Sequence, residues 1–168
     1  AEKKAPVWIE PYFDKQANAA MVTYSVPMIR DGKTIAVVTC DLSLDGIRSL
    51  IDSLPLEEGS FAVLLSRKGT FISHPQDELE IVETIFTLAD AQDDPESAET
   101  LRHLGNSLLG GRPGWLRYQR PFGKEWAYIF YESVPCTGWA LGVVRAEAEV
   151  LAPLIQLNRI SAVLGVAG

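Results

Sequence analysis

The sequence predicts an α+β protein: an antiparallel five-stranded sheet with flanking helices, preceded by part of a second module of the same kind. Three observations lead there. The stretch "SVPMIRDGKTIAVVTCDLSL" at 25–44 is nearly repeated as "SVPCTGWALGVVRAEAEV" at 133–150. The order of elements between residues 59 and 145 reads strand, strand, helix, helix, strand, strand, strand. Glycine and proline punctuate each of these segments where a chain reversal is needed.

In the repeat, Gly32, Ile35, Val37, Val38 and Asp41 align with Gly138, Leu141, Val143, Val144 and Glu147. Each copy reads as a strand ending near a proline, a short turn closed by glycine, an apolar strand, and an acidic residue opening a helix. Self-similarity at a fixed offset marks one supersecondary unit used twice. Taken in order, residues 21–30 and 34–42 form the first hairpin through Asp31-Gly32, a favoured hairpin dipeptide. Leu44, Ile47, Leu50, Ile51 and Leu54 recur at helical spacing until Pro55 stops them. A second hairpin spans Ser60 to Arg67 and Thr70 to His74, turning at Lys68-Gly69 and ended by Pro75. Helices are predicted over about 79–91 and from Asp94-Pro95, where the carboxylate caps and the proline suits the first turn, until Gly110-Gly111. Strands follow at about 113–120, 125–134 and 139–145, and a last helix begins near Ala146.

This plan is PAS-like. Residues 55–150 supply a complete module and 1–54 only the closing strands and connecting helix of an equivalent one, so the duplicated hairpin is what two tandem modules require. The opening "AEKKAPVW" offers no element that starts a domain. The charge-free end "ISAVLGVAG", in the segment 146–168, reads either as the first turns of a membrane-spanning helix or as the apolar end of a packing helix.

Composition narrows the partners. The 168 residues are 47% hydrophobic and 22% charged, with 15 Lys plus Arg against 22 Asp plus Glu and a net charge of -7. That balance repels phosphate backbones, so nucleic acid is not an expected partner. Cys40 and Cys136 lack metal-like spacing and are expected as buried free thiols, or as a pair if the module is extracytoplasmic.

The segments "WIEPYFD" (8–14), "MVTYSVP" (21–27), "VVTCDLSL" (37–44), "FAVLLSRKGTFISHP" (61–75) and "GWALGVV" (138–144), in this order and spacing, resemble the tandem Cache sensor domains. These lie outside the cytoplasmic membrane in bacterial histidine kinases, chemoreceptors, cyclic-dinucleotide enzymes and phosphatase regulators. The resemblance covers Trp8 to Leu151. It implies a periplasmic, membrane-anchored small-molecule receptor, admits a homodimer, and places the main pocket in the membrane-distal module. By resemblance, Asp41 holds a ligand ammonium group and Asp14 contributes to the same pocket. The family's aromatic and arginine cluster that grips a carboxylate would precede residue 1, which leaves amine, amino acid and organic acid open.

The residues support that site on physical grounds. A carboxylate at the mouth of an apolar sheet binds a cation through charge-assisted hydrogen bonds, about twice as strong as neutral ones. Aromatic faces at Trp8, Tyr12 and Tyr24 add cation-π attraction. Helix capping is the competing role for Asp41, as for Glu147, and core packing for Trp8 and Tyr12. In the second module His74, Arg117, Tyr118, Tyr128 and Tyr131 are weaker candidates, because alternate strand positions point away from any one cleft. No cofactor or metal site is expected: no phosphate loop, calcium loop, HExxH or GxSxG occurs, and the two histidines, His74 and His103, share no ligand spacing. Three functions therefore compete: an extracytoplasmic ligand sensor without catalytic activity, a structural or dimerisation module of the same fold, and a cytoplasmic sensor carrying haem or flavin.

Overall fold

The computed structural model describes residues 5–152. Two antiparallel sheets organise them. In the first, β3 (Ala19–Arg30) and β4 (Lys33–Ser43) form the long hairpin, with Asp31 and Gly32 both at positive φ, 49° and 74°, as a tight two-residue turn requires. A register shift between Met28 and Ile29 then displaces every later pair by one residue, so that Thr23 faces Asp41. Along the other edge of β3 lie two short strands, β1 (Val7–Trp8) and β2 (Tyr12–Asp14). The opening segment thus does contain a strand: β3 is long enough to offer free backbone groups to which even a two-residue strand can bond.

β4 passes directly into α1 (Leu44–Asp52), whose N-cap is Ser43, its hydroxyl accepting the Asp45 N–H at 3.2 Å. Among the described residues β4 pairs only with β3, and Ile35, Val37 and Val38 on it are each more than half exposed. Cys40 lies on this outer strand and Cys136 in a turn at φ 70°, so both thiols are free and exposed rather than buried.

The second sheet runs β6 (Phe71–Ser73), β5 (Phe61–Leu65), β9 (Trp139–Ala146), β8 (Trp126–Val134), β7 (Gly114–Gln119). It is the five-stranded antiparallel sheet with helices after its second strand that the sequence predicts. The helix expected over 79–91 is shorter: α2 spans Ile85–Asp90. Thr84 fixes its start through a reciprocal capping box with Thr87. Ahead of it the chain makes a 3-10 turn over Asp77–Leu79 and a further turn with Ile81 at φ 56°, and is bonded to β6 through Ile81 N–H to Phe71 O and Phe71 N–H to Glu83 O. α3 (Pro95–Leu109) begins as expected, with Asp94 accepting from the Ser97 N–H at 3.0 Å. The last helix opens at Glu147, and its expected continuation toward 160–168 lies outside the described residues.

Period-two alternation gives the second sheet two different faces. Val63, Leu65, Ala140 and Val144 pack against Leu88, Leu101, Leu104 and Leu108 of α2 and α3. Leu64, Ile72 and Trp139 point the opposite way and close a second core with Val22 of β3 and Leu44 of α1. The first sheet and the connecting helix are therefore fastened to the back of the second sheet.

Candidate functional site

The first sheet sorts the five sequence-predicted residues by face. Trp8 pairs with Tyr24, and their rings meet at 4.8 Å; Trp8 also meets Trp139 of the second sheet at 5.3 Å. Tyr12, Asp14 and Asp41 pair with Met21, Ala19 and Thr23, which belong to the alternate set of β3 positions. These three share the opposite face.

There a hydrogen-bond chain forms. The Thr23 hydroxyl, in a residue only 5% exposed, donates to Asp41 Oδ1 at 2.6 Å and lies 2.9 Å from the Tyr12 hydroxyl. Each hydroxyl has one proton, so with Thr23 donating to Asp41, Tyr12 donates to Thr23. The carboxylate is oriented by one bond, and its Oδ2 has no hydrogen-bond partner among the described residues. Asp14 is spent locally: Oδ1 accepts the Gln16 and Ala17 N–H groups at 2.7 and 3.0 Å, closing the β2–β3 turn.

Asp41 does not cap a helix. It sits inside β4, two residues ahead of the Ser43 cap. Its repeat counterpart Glu147 has a different fate. Arg117 donates to both oxygens of Glu147, at 2.6 and 3.0 Å, while its guanidinium lies 3.8 Å over the Trp126 ring; Tyr128 donates at 3.4 Å. The Arg117 bonds hold the Glu147 carboxyl below its usual range. Asp41 forms no ion pair among the described residues, so one copy of the hairpin answers its acid internally and the other leaves it available.

Thr23 was missed in the sequence because a threonine inside a strand looks like ordinary β-propensity. The second-module candidates separate in the same way. Tyr118 and His74 face the core between the sheet and α2/α3, whereas Arg117 and Tyr128 lie on the far side with Glu147. Tyr131 packs at the margin of that core.

A family model described as the Cache domain matches residues 1–154. The chain belongs to the Cache domain family. The methyl-accepting chemotaxis protein McpC of Bacillus subtilis (strain 168) is 32% identical over 153 residues, 91% of this chain and 20% of McpC. The chain thus spans about a fifth of that relative. Among solved structures, the extracellular domain of the histidine kinase mmHK1S-Z3 superposes with a TM-score of 0.76 at 23% identity, over 91% of this chain and 53% of that one. The ligand-binding domain of the Pseudomonas aeruginosa PAO1 chemoreceptor PctB, in complex with L-Arg, gives 0.67 at 20% identity, over 97% and 60%. This Cache domain therefore shares its fold with sensor domains of chemoreceptors and histidine kinases. No helix among its described residues is long and apolar enough to cross a membrane.

Proposed function

We propose that this Cache domain is the extracytoplasmic ligand-sensing part of a bacterial membrane receptor and acts by binding, not catalysis. In this reading residues 1–54 belong to a membrane-distal module and 55–150 form the membrane-proximal one. The ligand is a small molecule carrying an ammonium group, an amine or amino acid. The carrying observation is the Asp41 carboxylate, held by Thr23, which Tyr12 in turn bonds, yet without a cationic partner among the described residues, while Glu147 at the matching position is taken by Arg117.

Asp41 receives the ammonium group through its unpartnered oxygen. Tyr12 presents an aromatic face beside it, and Asp14 adds negative potential from the same side of the sheet. Trp8 and Tyr24 serve from the other face, holding the sheet against Trp139. Ligand-dependent movement passes through the helix that opens at Glu147 toward a membrane anchor, in a parent receptor that pairs as a homodimer.

Calorimetry with a panel of amines and amino acids tests this, on the chain extended upstream as in its parent. Asp41→Asn keeps the bond from Thr23 and removes the charge. Loss of a charge-assisted contact of about 1.5–3 kcal/mol weakens binding roughly tenfold to a hundredfold, while Glu147→Gln leaves it unchanged. Equal affinity in wild type and Asp41→Asn removes Asp41 from the site.

A further inference from the structure

The core between the second sheet and helices α2 and α3 is not filled. A cavity of about 100 Å³ remains there, walled by Leu65, Leu88, Leu104 and Ile129. That volume matches about three waters at liquid density, or an organic acid of about two to four carbons. A purely apolar cavity of this kind stays dry and carries no information. This one has four side chains with donors on its lining, His74, Gln76, Tyr118 and Arg120, and the Arg120 charge bears on both His74 and Tyr118.

His74, Tyr118 and Arg120 each lack a strong side-chain partner among the described residues. Tyr118 is 6% exposed, and its hydroxyl, which is not among the fully buried unpartnered atoms, has no hydrogen-bond partner among the described residues and is free to donate into the cavity. Burial pushes it up to about 12, so it stays a donor. His74 Nδ1 accepts the Gln76 N–H at 3.0 Å, which puts the ring proton on Nε2. Burial holds this ring neutral, with its pKa lowered to about 4. Nε2–H is likewise without a partner among the described residues. Among the described residues Arg120 ion-pairs only with Glu125, at 3.4 Å, and Glu125 is 68% exposed. Its guanidinium lies over the Phe61 ring at 5.1 Å and bears electrostatically on both His74 and Tyr118. The other charged groups near His74 cancel: Glu80 accepts the His74 backbone N–H and is ion-paired with Arg48.

We infer that this cavity is a second ligand site, separate from Asp41, for a short-chain monocarboxylate. Its carboxylate is held by Arg120, the Tyr118 hydroxyl and His74 Nε2–H, and its carbon end lies against Leu65, Leu88, Leu104 and Ile129. One positive charge and two neutral donors satisfy one carboxylate, and the apolar walls select an organic acid over a bare inorganic anion. Occupancy is carried outward by His74, whose backbone is bonded through Glu80 to Arg48 on the connecting helix α1.

The test is calorimetry and thermal shift on the 168-residue chain with propionate and pyruvate, against inorganic phosphate and propylamine. The acids bind and raise the melting temperature. Arg120→Gln and Tyr118→Phe each weaken propionate roughly tenfold to a hundredfold, and Asp41→Asn leaves it unchanged. A wild-type readout stands even if a variant unfolds: propionate moves the NMR titration midpoint of His74 upward from about 4, since a carboxylate beside Nε2 favours the imidazolium. No binding at tens of millimolar, phosphate bound as tightly as propionate, an unmoved His74 midpoint, or full affinity in Arg120→Gln overturns the inference. Loss of propionate binding in Asp41→Asn overturns it too, by returning the acid to the first sheet.

Discussion

The contact between Arg48 and Glu80 joins the connecting helix to the second sheet, and removing one partner measures it. Glu80 is 5% exposed on its side chain; it is ion-paired with Arg48 Nη2 and accepts the His74 N–H at 2.9 Å. Arg48→Met keeps the aliphatic stem and strands a buried carboxylate. Breaking a fully buried pair costs about 3–5 kcal/mol. Here Arg48 is 35% exposed, so water screens part of the attraction, and Glu80 retains its bond from His74. The guanidinium Nε of Arg48 is itself buried without a partner among the described residues, so the pair is not an ideal one. The expected loss is about 2–3 kcal/mol, or a fall of about 4–12 °C in melting temperature. Urea unfolding of Arg48→Met and of Arg48→Met/Glu80→Gln decides it. The double variant regains about 1 kcal/mol or more, because a buried amide that still accepts from His74 costs less than a buried charge. A single variant within about 0.5 kcal/mol of wild type, the ordinary surface-substitution range, refutes the reasoning. So does a double variant no more stable than the single.

Two further outcomes follow from the site geometry. Ser43→Ala removes the α1 cap and costs about 0.5–2 kcal/mol, with faster amide exchange confined to the first turn of that helix; Asp41→Ala leaves those amides protected. The second concerns pH. Burial, opposed by a backbone hydrogen bond with Gln76 and reinforced by Arg120, lowers the His74 pKa from 6.5 to about 4 in the folded chain. The unfolded state therefore takes up the proton first as pH falls. The stabilising preference for neutral His74 is complete above pH 6.5 and is lost as pH drops toward 4. The difference in unfolding free energy between wild type and His74→Gln stays constant above 6.5 and shifts against wild type toward 4, and a difference constant across that window counts against the burial of this ring.

Features under short-range chemical control are legible in the residues alone. Asp31-Gly32 dictates a two-residue turn because both positions need positive φ. Asp94 followed by Pro95 dictates where α3 starts, since one supplies the cap and the other a pre-set first turn. The period-two runs supply the five strands of the second sheet, and the repeated hairpin marks where strand passes into helix. The order of these local signals also carried the family resemblance. Features that depend on register and on contacts remote in sequence emerge only with packing. Continued without its bulge, the first hairpin would set Thr23 opposite Cys40; the shift at Met28/Ile29 brings Asp41 there instead, and a one-residue slip exchanges the two faces of a strand. The exposed thiol of Cys40 follows from β4 lying at an edge, and that of Cys136 from its place in a turn. Arg117 meets Glu147 across 30 positions, and Trp8 reaches Trp139 only because the two sheets share a core. The convergence of His74, Tyr118 and Arg120 on one cavity likewise joins two distant segments of the chain. Local propensities act over a few residues, whereas these pairings exist only once non-local strands are packed, and packing is what separates the paired acid at 147 from the available one at 41.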